Sequence, residues 1–126
     1  MVDLLQDKDE LLAVRYTGWH SKQDYDELYK YLVQKSRQHQ GVYLYEEALE
    51  FGPVAFLSTC IGTYHDLKYG PSIQLEKHAI VSDSFWAWLM TYLFKKIRPV
   101  WPFSPTELRF FEMSDRAEAL QWIKNS

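Results

Sequence analysis

The sequence has one cysteine, Cys60, in 126 residues. A lone cysteine excludes an internal disulfide and any CxxC pair of the kind that binds zinc or carries redox chemistry. Glycine is also scarce, at five residues, and none belongs to a glycine-rich phosphate loop. Gly62-Thr63 follows no glycine run, and Pro53 after Gly52 removes an N–H that a phosphate cradle would use. The four histidines, His20, His39, His65 and His78, form no HExxH and show no metal-ligand spacing. The start, Met-Val-Asp-Leu-Leu, has neither a basic n-region nor an apolar h-region, so no secretory leader is expected. The longest apolar run is well short of the about 20 residues of a spanning helix. A net charge of −3 argues against a broad nucleic-acid footprint. The expectation is a cytoplasmic chain with no cofactor, no metal and no nucleic-acid partner, placed at most peripherally at the inner membrane face.

Aromatic residues are abundant instead, at 17% of the chain. Each can bury about 150–250 Å², and 126 residues read as a single domain over 1–126. A core of that size does not need them all, so surface aromatics are expected. They concentrate in residues 84–103, where only Thr91 interrupts the apolar run 85–94 and Lys95, Lys96 and Arg98 follow at once. A surface helix normally carries one apolar stripe. This one carries two. Trp86, Met90, Leu93 and Ile97 recur at i, i+4, i+7 and i+11, and read as the core stripe. Phe85, Trp88 and Tyr92 recur at i, i+3 and i+7 on a neighbouring face that something else must cover.

Residues 10–17 alternate around Leu12, Val14 and Tyr16 and read as a strand, with Leu4-Leu5 as a short edge strand before it. Ser21 with Asp24 has capping-box spacing for a helix whose face is Tyr25, Leu28, Tyr29, Leu32 and Ser36. A second strand is expected over 42–45, and Gly52-Pro53 opens a helix with face Leu57, Cys60, Ile61, Tyr64 and Leu67. A third strand over 78–81 leads through Ser82-Asp83-Ser84 into the aromatic helix, which Pro99 and Pro102 end. A last strand over 107–112 and a helix from Ser114 along Ala119, Leu120 and Ile123 complete the chain. Strands alternating with helices imply a mostly parallel sheet with helices packed on it.

Candidate chemistry is thin. His65-Asp66 are adjacent and would point to different sides of a helix. Cys60 lacks a nucleophile elbow and a base, and reads as a small buried hydrophobe. Glu46, Glu47 and Glu50 lack calcium-loop spacing and read as a solvated loop, while Asp24, Asp26 and Glu27 suit a helix N-terminus.

Several strings occur in order over about 110 residues: Leu12-Ala-Val-Arg-Tyr-Thr-Gly18, Ser21-Lys-Gln-Asp-Tyr25, Ala79-Ile-Val-Ser-Asp83 leading into Trp86, and Pro105-Thr-Glu-Leu-Arg-Phe-Phe111 followed by Glu118-Ala-Leu-Gln-Trp122. With the order β-β-α-β-α-β-α-β-α, they resemble the SpoIIAA-like family, whose fold is STAS-like. The resemblance implies an α/β fold with a mostly parallel five-strand sheet and about four helices, and no enzyme activity. It also implies a switch serine at the start of the second helix. The matching turn here is Phe51-Gly52-Pro53-Val54, which has no hydroxyl. In the family, the positions of Phe85 and Trp88 are commonly polar.

The functional expectation is a non-enzymatic, lipid-facing domain. Phe56, Leu57, Cys60, Trp86, Leu89 and Leu93 would line a cleft for an apolar or amphipathic small molecule or lipid. Phe85, Trp88, Tyr92, Trp101 and Phe103 would insert at an anionic membrane surface, with Lys95, Lys96 and Arg98 on headgroup phosphates. The alternative is a soluble STAS-like regulatory module that meets a protein partner, or a second copy as a homodimer, through the same helix.

Overall fold

The computed structural model describes residues 2–18, 22–39, 41–62, 75–97 and 107–124, without the side chains of residues 2, 22, 25, 60–62 and 97. The Ser21 cap, Tyr64, His65, Leu67, the Gly70-Pro71 punctuation, Arg98, Trp101 and Phe103 lie outside that range. The described elements run β1 (Val2–Lys8), β2 (Leu11–Thr17), α1 (Lys22–Gln38), β3 (Val42–Leu49), α2 (Pro53–Gly62), β4 (Leu75–Val81), α3 (Phe85–Ile97), β5 (Glu107–Phe111) and α4 (Arg116–Lys124), with a 3₁₀ turn (Met113–Asp115) before α4. This is the expected α/β order, with longer first, third and fourth strands.

The strands form one sheet in the order β1-β2-β3-β4-β5. β1 is antiparallel to β2, joined by a tight turn in which Asp9 takes the left-handed conformation (φ 53°) that aspartate tolerates. The other three pairings are parallel. The chain therefore steps across the sheet one strand at a time in one direction. Right-handed crossovers then place α1, α2 and α3 on the same face.

That helical face has two apolar clusters. Under α1, Leu32 packs with Leu12, Val14, Val42, Leu44 and Leu75. Under α2 and α3, Ala55, Ala87 and Met90 pack with Tyr16, Ala48, Phe51, Ile80 and Leu108. The opposite face is covered by α4, whose Ala119 and Ile123 are fully buried against Tyr45, Ala79, Val81 and Phe111. Gly18 closes β2 at φ 70° and donates its N–H to Leu49 O at 2.8 Å. A side chain would be strained in that backbone region.

Candidate functional site

Ser84 starts α3. Its Oγ accepts from Trp86 N at 3.1 Å, meeting one of the helix's orphan donors. The same hydroxyl donates to Phe51 O, and Ser82 Oγ donates to Ala48 O at 2.8 Å and accepts from Ser84 N at 3.1 Å. These bonds fix the N-terminus of α3 against the ends of β3 and α2.

The buried stripe of α3 is Ala87, Met90 and Thr91, flanked by partly buried Phe94. This corrects the expected Trp86–Met90–Leu93–Ile97 stripe: Leu93 is 40% exposed and Trp86 stands beside the core rather than in it. The reason is size. Ala87 (0% exposed) lets the helix approach the sheet closely, and buried Thr91 satisfies its hydroxyl within the helix on Ala87 O at 2.9 Å. A hydroxyl satisfied in that way is no obstacle to burial.

The second stripe is on the surface. Phe85 is 63% exposed, and Trp88 and Tyr92 are each 45% exposed. The rings form a continuous ladder: Phe85 and Trp88 centroids are 5.9 Å apart, and Trp88 and Tyr92 stack at 5.6 Å with 17° between their planes. Lys96 Nζ lies 5.3 Å from the Tyr92 centroid and ends the ladder with a cation. Lys95 is exposed beside it.

The residues expected to line an apolar cleft are only partly brought together. Phe56 and Trp86 meet at 5.4 Å and fill the seam between α2 and α3. Leu57 is 61% exposed on the surface of α2, not part of its buried face, which is formed by Ala55. Leu89 is half-buried, Leu93 is exposed, and the Cys60 side chain lies outside the description.

In open α/β sheets the usual ligand position is the crevice beyond the carboxyl ends of the strands. Here a crevice of about 380 Å³ lies beyond β3 and β4 and includes Phe51, Gly52, Ser82, Asp83 and Ser84. Both hydroxyls donate to backbone carbonyls, and Asp83 Oδ1 accepts from Met113 N at 3.1 Å. The hydroxyl-free turn before α2 thus borrows hydroxyls from the β4–α3 turn, and they have a structural use.

Glu46 and Glu47 are a correction. They lie in β3, not in a solvated loop, and only Glu50 is exposed, at φ 52°. On the helical face, Glu46 Oε2 accepts from Tyr16 Oη at 2.7 Å. Its Oε1 lies 3.1 Å from His78 Nε2, without hydrogen-bond alignment, so that contact carries charge only when the imidazole is protonated. On the α4 face, buried Glu47 accepts from Arg15 and Tyr45. The signal was present in the sequence: Arg15 interrupts an apolar strand, and Ala48-Leu49 continue the alternation of 42–45 beyond the two acids. Among the described residues, no three His, Cys, Asp or Glu side chains are placed to hold a metal ion.

A mostly parallel five-strand sheet with three helices on one face, the aromatic α3 among them, and α4 on the other defines a small STAS-like module. The SpoIIAA-like family model matches residues 11–124, and the chain belongs to that family. Neither the curated proteins nor the solved structures give a match. No helix among the described residues is long and apolar enough to cross a membrane.

Proposed function

We propose that this chain is a non-enzymatic STAS-like module that docks reversibly on an anionic lipid surface through α3. The observation that carries this reading is the stacked, exposed ladder Phe85–Trp88–Tyr92 ending at Lys96. Aromatic rings at headgroup depth with lysines at the edge are how an interfacial helix meets a membrane. Lys95 and Lys96 would contribute about 1 kcal/mol each near anionic lipid. A fully buried ring adds at most about 1.5–3 kcal/mol, and less here because Trp88 and Tyr92 already cover each other. Those sums support reversible attachment only. Arg98, Trp101 and Phe103 follow α3 directly in sequence and would extend the same contact. An apolar ligand in the α2–α3 seam would require Phe56 and Trp86 to part.

The test is flotation of the purified chain with anionic and with zwitterionic vesicles. The expected result is flotation with anionic vesicles that is lost in Trp88→Ala/Lys96→Glu, with folding intact by circular dichroism. Unchanged flotation of that variant would reject the assignment to α3. Absence of flotation in a chain that elutes as a dimer would make the ladder a protein interface instead.

A further inference from the structure

The helical face has a second apolar region that no described helix covers, at the opposite margin of the sheet from α3. α1 sits over β2 and β3, where Leu32 meets Leu12, Val14, Val42 and Leu44, and no described helix lies above β1. Leu4, paired with Val14 and therefore on the same face, is 62% exposed. Between β1 and α1 runs a groove of about 290 Å³. Leu4, Leu12 and Val14 form its floor, Leu28 and Tyr31 its wall, and Asp24 and Glu27 complete the lining. No cation is among its described lining residues. Glu27 accepts from Gln23 Nε2 at 3.2 Å, a neutral donor that leaves its charge in place.

We propose that this groove docks an amphipathic basic helix of a partner protein. Packed helices lie about 8–10 Å apart, roughly two strand spacings of about 4.8 Å. A helix laid beside α1 therefore sits at the β1 margin of the sheet, which α1 itself reaches only through the Lys35–Asp7 ion pair. Asp24 precedes Leu28, and Glu27 precedes Tyr31, by four residues, about 6 Å along α1. The matching partner presents a large apolar side chain with lysine or arginine one turn away, so that the ring and leucine wall takes the first and the Glu27 carboxylate the second.

Two other occupants fit less well. Strand addition to β1 meets a bulge between Leu4 and Gln6, and Asp3, Asp7 and Lys8 lie on that strand. Bulges and charges are what edge strands use to prevent such pairing. A small molecule would find too little enclosure, since Tyr31 and Leu4 remain open to solvent, whereas small-molecule pockets bury about 70–90% of their ligand.

The test contains no lipid, so it stands or falls apart from the α3 reading. The ¹⁵N-labelled full chain is titrated with an amidated leucine–lysine peptide of about 14 residues, four helical turns, and with its leucine–glutamate counterpart. The expected result is saturable shifts at residues 4, 12, 14, 24, 27, 28 and 31 with the lysine peptide only. Glu27→Lys should weaken it by at least about tenfold, and Leu4→Ser, at an exposed position that does not threaten folding, should weaken it through the apolar half. Lys95→Glu/Lys96→Glu should leave it unchanged. Shifts confined to residues 85–96, equal binding of the glutamate peptide, no saturable shift, or full affinity in Leu4→Ser would each overturn the proposal.

Discussion

Arg15 and Glu47 stand opposite each other on the parallel strands β2 and β3, and Arg15 Nε and Nη2 both reach Glu47 Oε1, at 3.0 and 2.8 Å. The other carboxylate oxygen accepts from Tyr45 Oη at 2.6 Å. Glu47 is thus a buried charge in the middle of the sheet with a hydrogen-bond donor on each oxygen. Burial of a carboxylate is costly unless it is paired and hydrogen-bonded in this way. The arrangement converts a local violation of the strand's apolar pattern into a fixed register between β2 and β3.

The costs of breaking that pair from its two sides should not add. Arg15→Met leaves the Glu47 carboxylate with Tyr45 alone and should cost about 2–4 kcal/mol, and Glu47→Leu a similar amount because it strands the fully buried Tyr45 hydroxyl. The double variant should cost less than the two singles added together, by about 1 kcal/mol or more. Urea unfolding of the four proteins measures this. Strict additivity would show that the pair is incidental to stability.

The same network sets an alkaline limit. Burial first, then the hydrogen bond to Glu47 and its charge, push the Tyr45 hydroxyl well above the ordinary phenol range, while Arg116 and Arg15 pull less strongly the other way. Tyr45 therefore stays protonated in the folded chain where unfolded tyrosine starts to ionise, near about pH 10. Its stabilisation is intact below that pH and declines above it, by up to about 1.4 kcal/mol per pH unit. Tyr45→Phe should be less stable than wild type by about 1 kcal/mol at pH 7, and the gap should narrow above about pH 10. A gap that stays constant through the alkaline range would contradict the raised value.

The two faces of α3 should separate cleanly on mutation. Met90→Ala empties a buried position and should cost about 2–4 kcal/mol. Trp88→Ala loses only surface stacking and should cost about 0.5–1.5 kcal/mol, although tryptophan is the larger side chain. Leu93→Ala should cost under about 1 kcal/mol, in keeping with its exposure. Thermal or denaturant unfolding gives the ranking. A Leu93 penalty equal to that of Met90 would return Leu93 to the core.

The order of elements was legible because the strands alternate and the punctuation is strong: Gly52-Pro53 does open α2, and Ser84 does cap α3. The second stripe of α3 was legible too, since Phe85, Trp88 and Tyr92 repeat at helical spacing. Which residues centre the buried face of α3 was not. Periodicity weighs a large side chain above a small one, so Trp86 and Leu93 outvoted Ala87 and Thr91. Packing reverses that vote, because close approach to a sheet is made by the smallest residues and a helix carbonyl can satisfy a threonine. Glu46 and Glu47 were misread for a related reason. Apart from Tyr45, their partners, Arg15, Tyr16 and His78, come from other strands, and a single strand's pattern says nothing about those.

Salt should divide the α3 contact into its two halves. Screening shortens from about 10 Å at 0.1 M to about 3 Å at 1 M, enough to suppress lysine–headgroup attraction while leaving ring burial in place. Two lysines at about 1 kcal/mol each amount to roughly 30-fold in partitioning. Wild-type binding to anionic vesicles should therefore fall by about that factor between the two salts. Lys95→Gln/Lys96→Gln at low salt should bind about as weakly as wild type at high salt, and should lose most of its own salt dependence. Trp88→Ala/Tyr92→Ala should lower binding at both salts by a similar ratio and keep the salt dependence. Zwitterionic vesicles should show the ring effect alone. Full salt sensitivity in the lysine variant would mean that the cations meeting the lipid are not those at the end of α3, and the ladder would then have to be read as the face for a protein rather than for a bilayer.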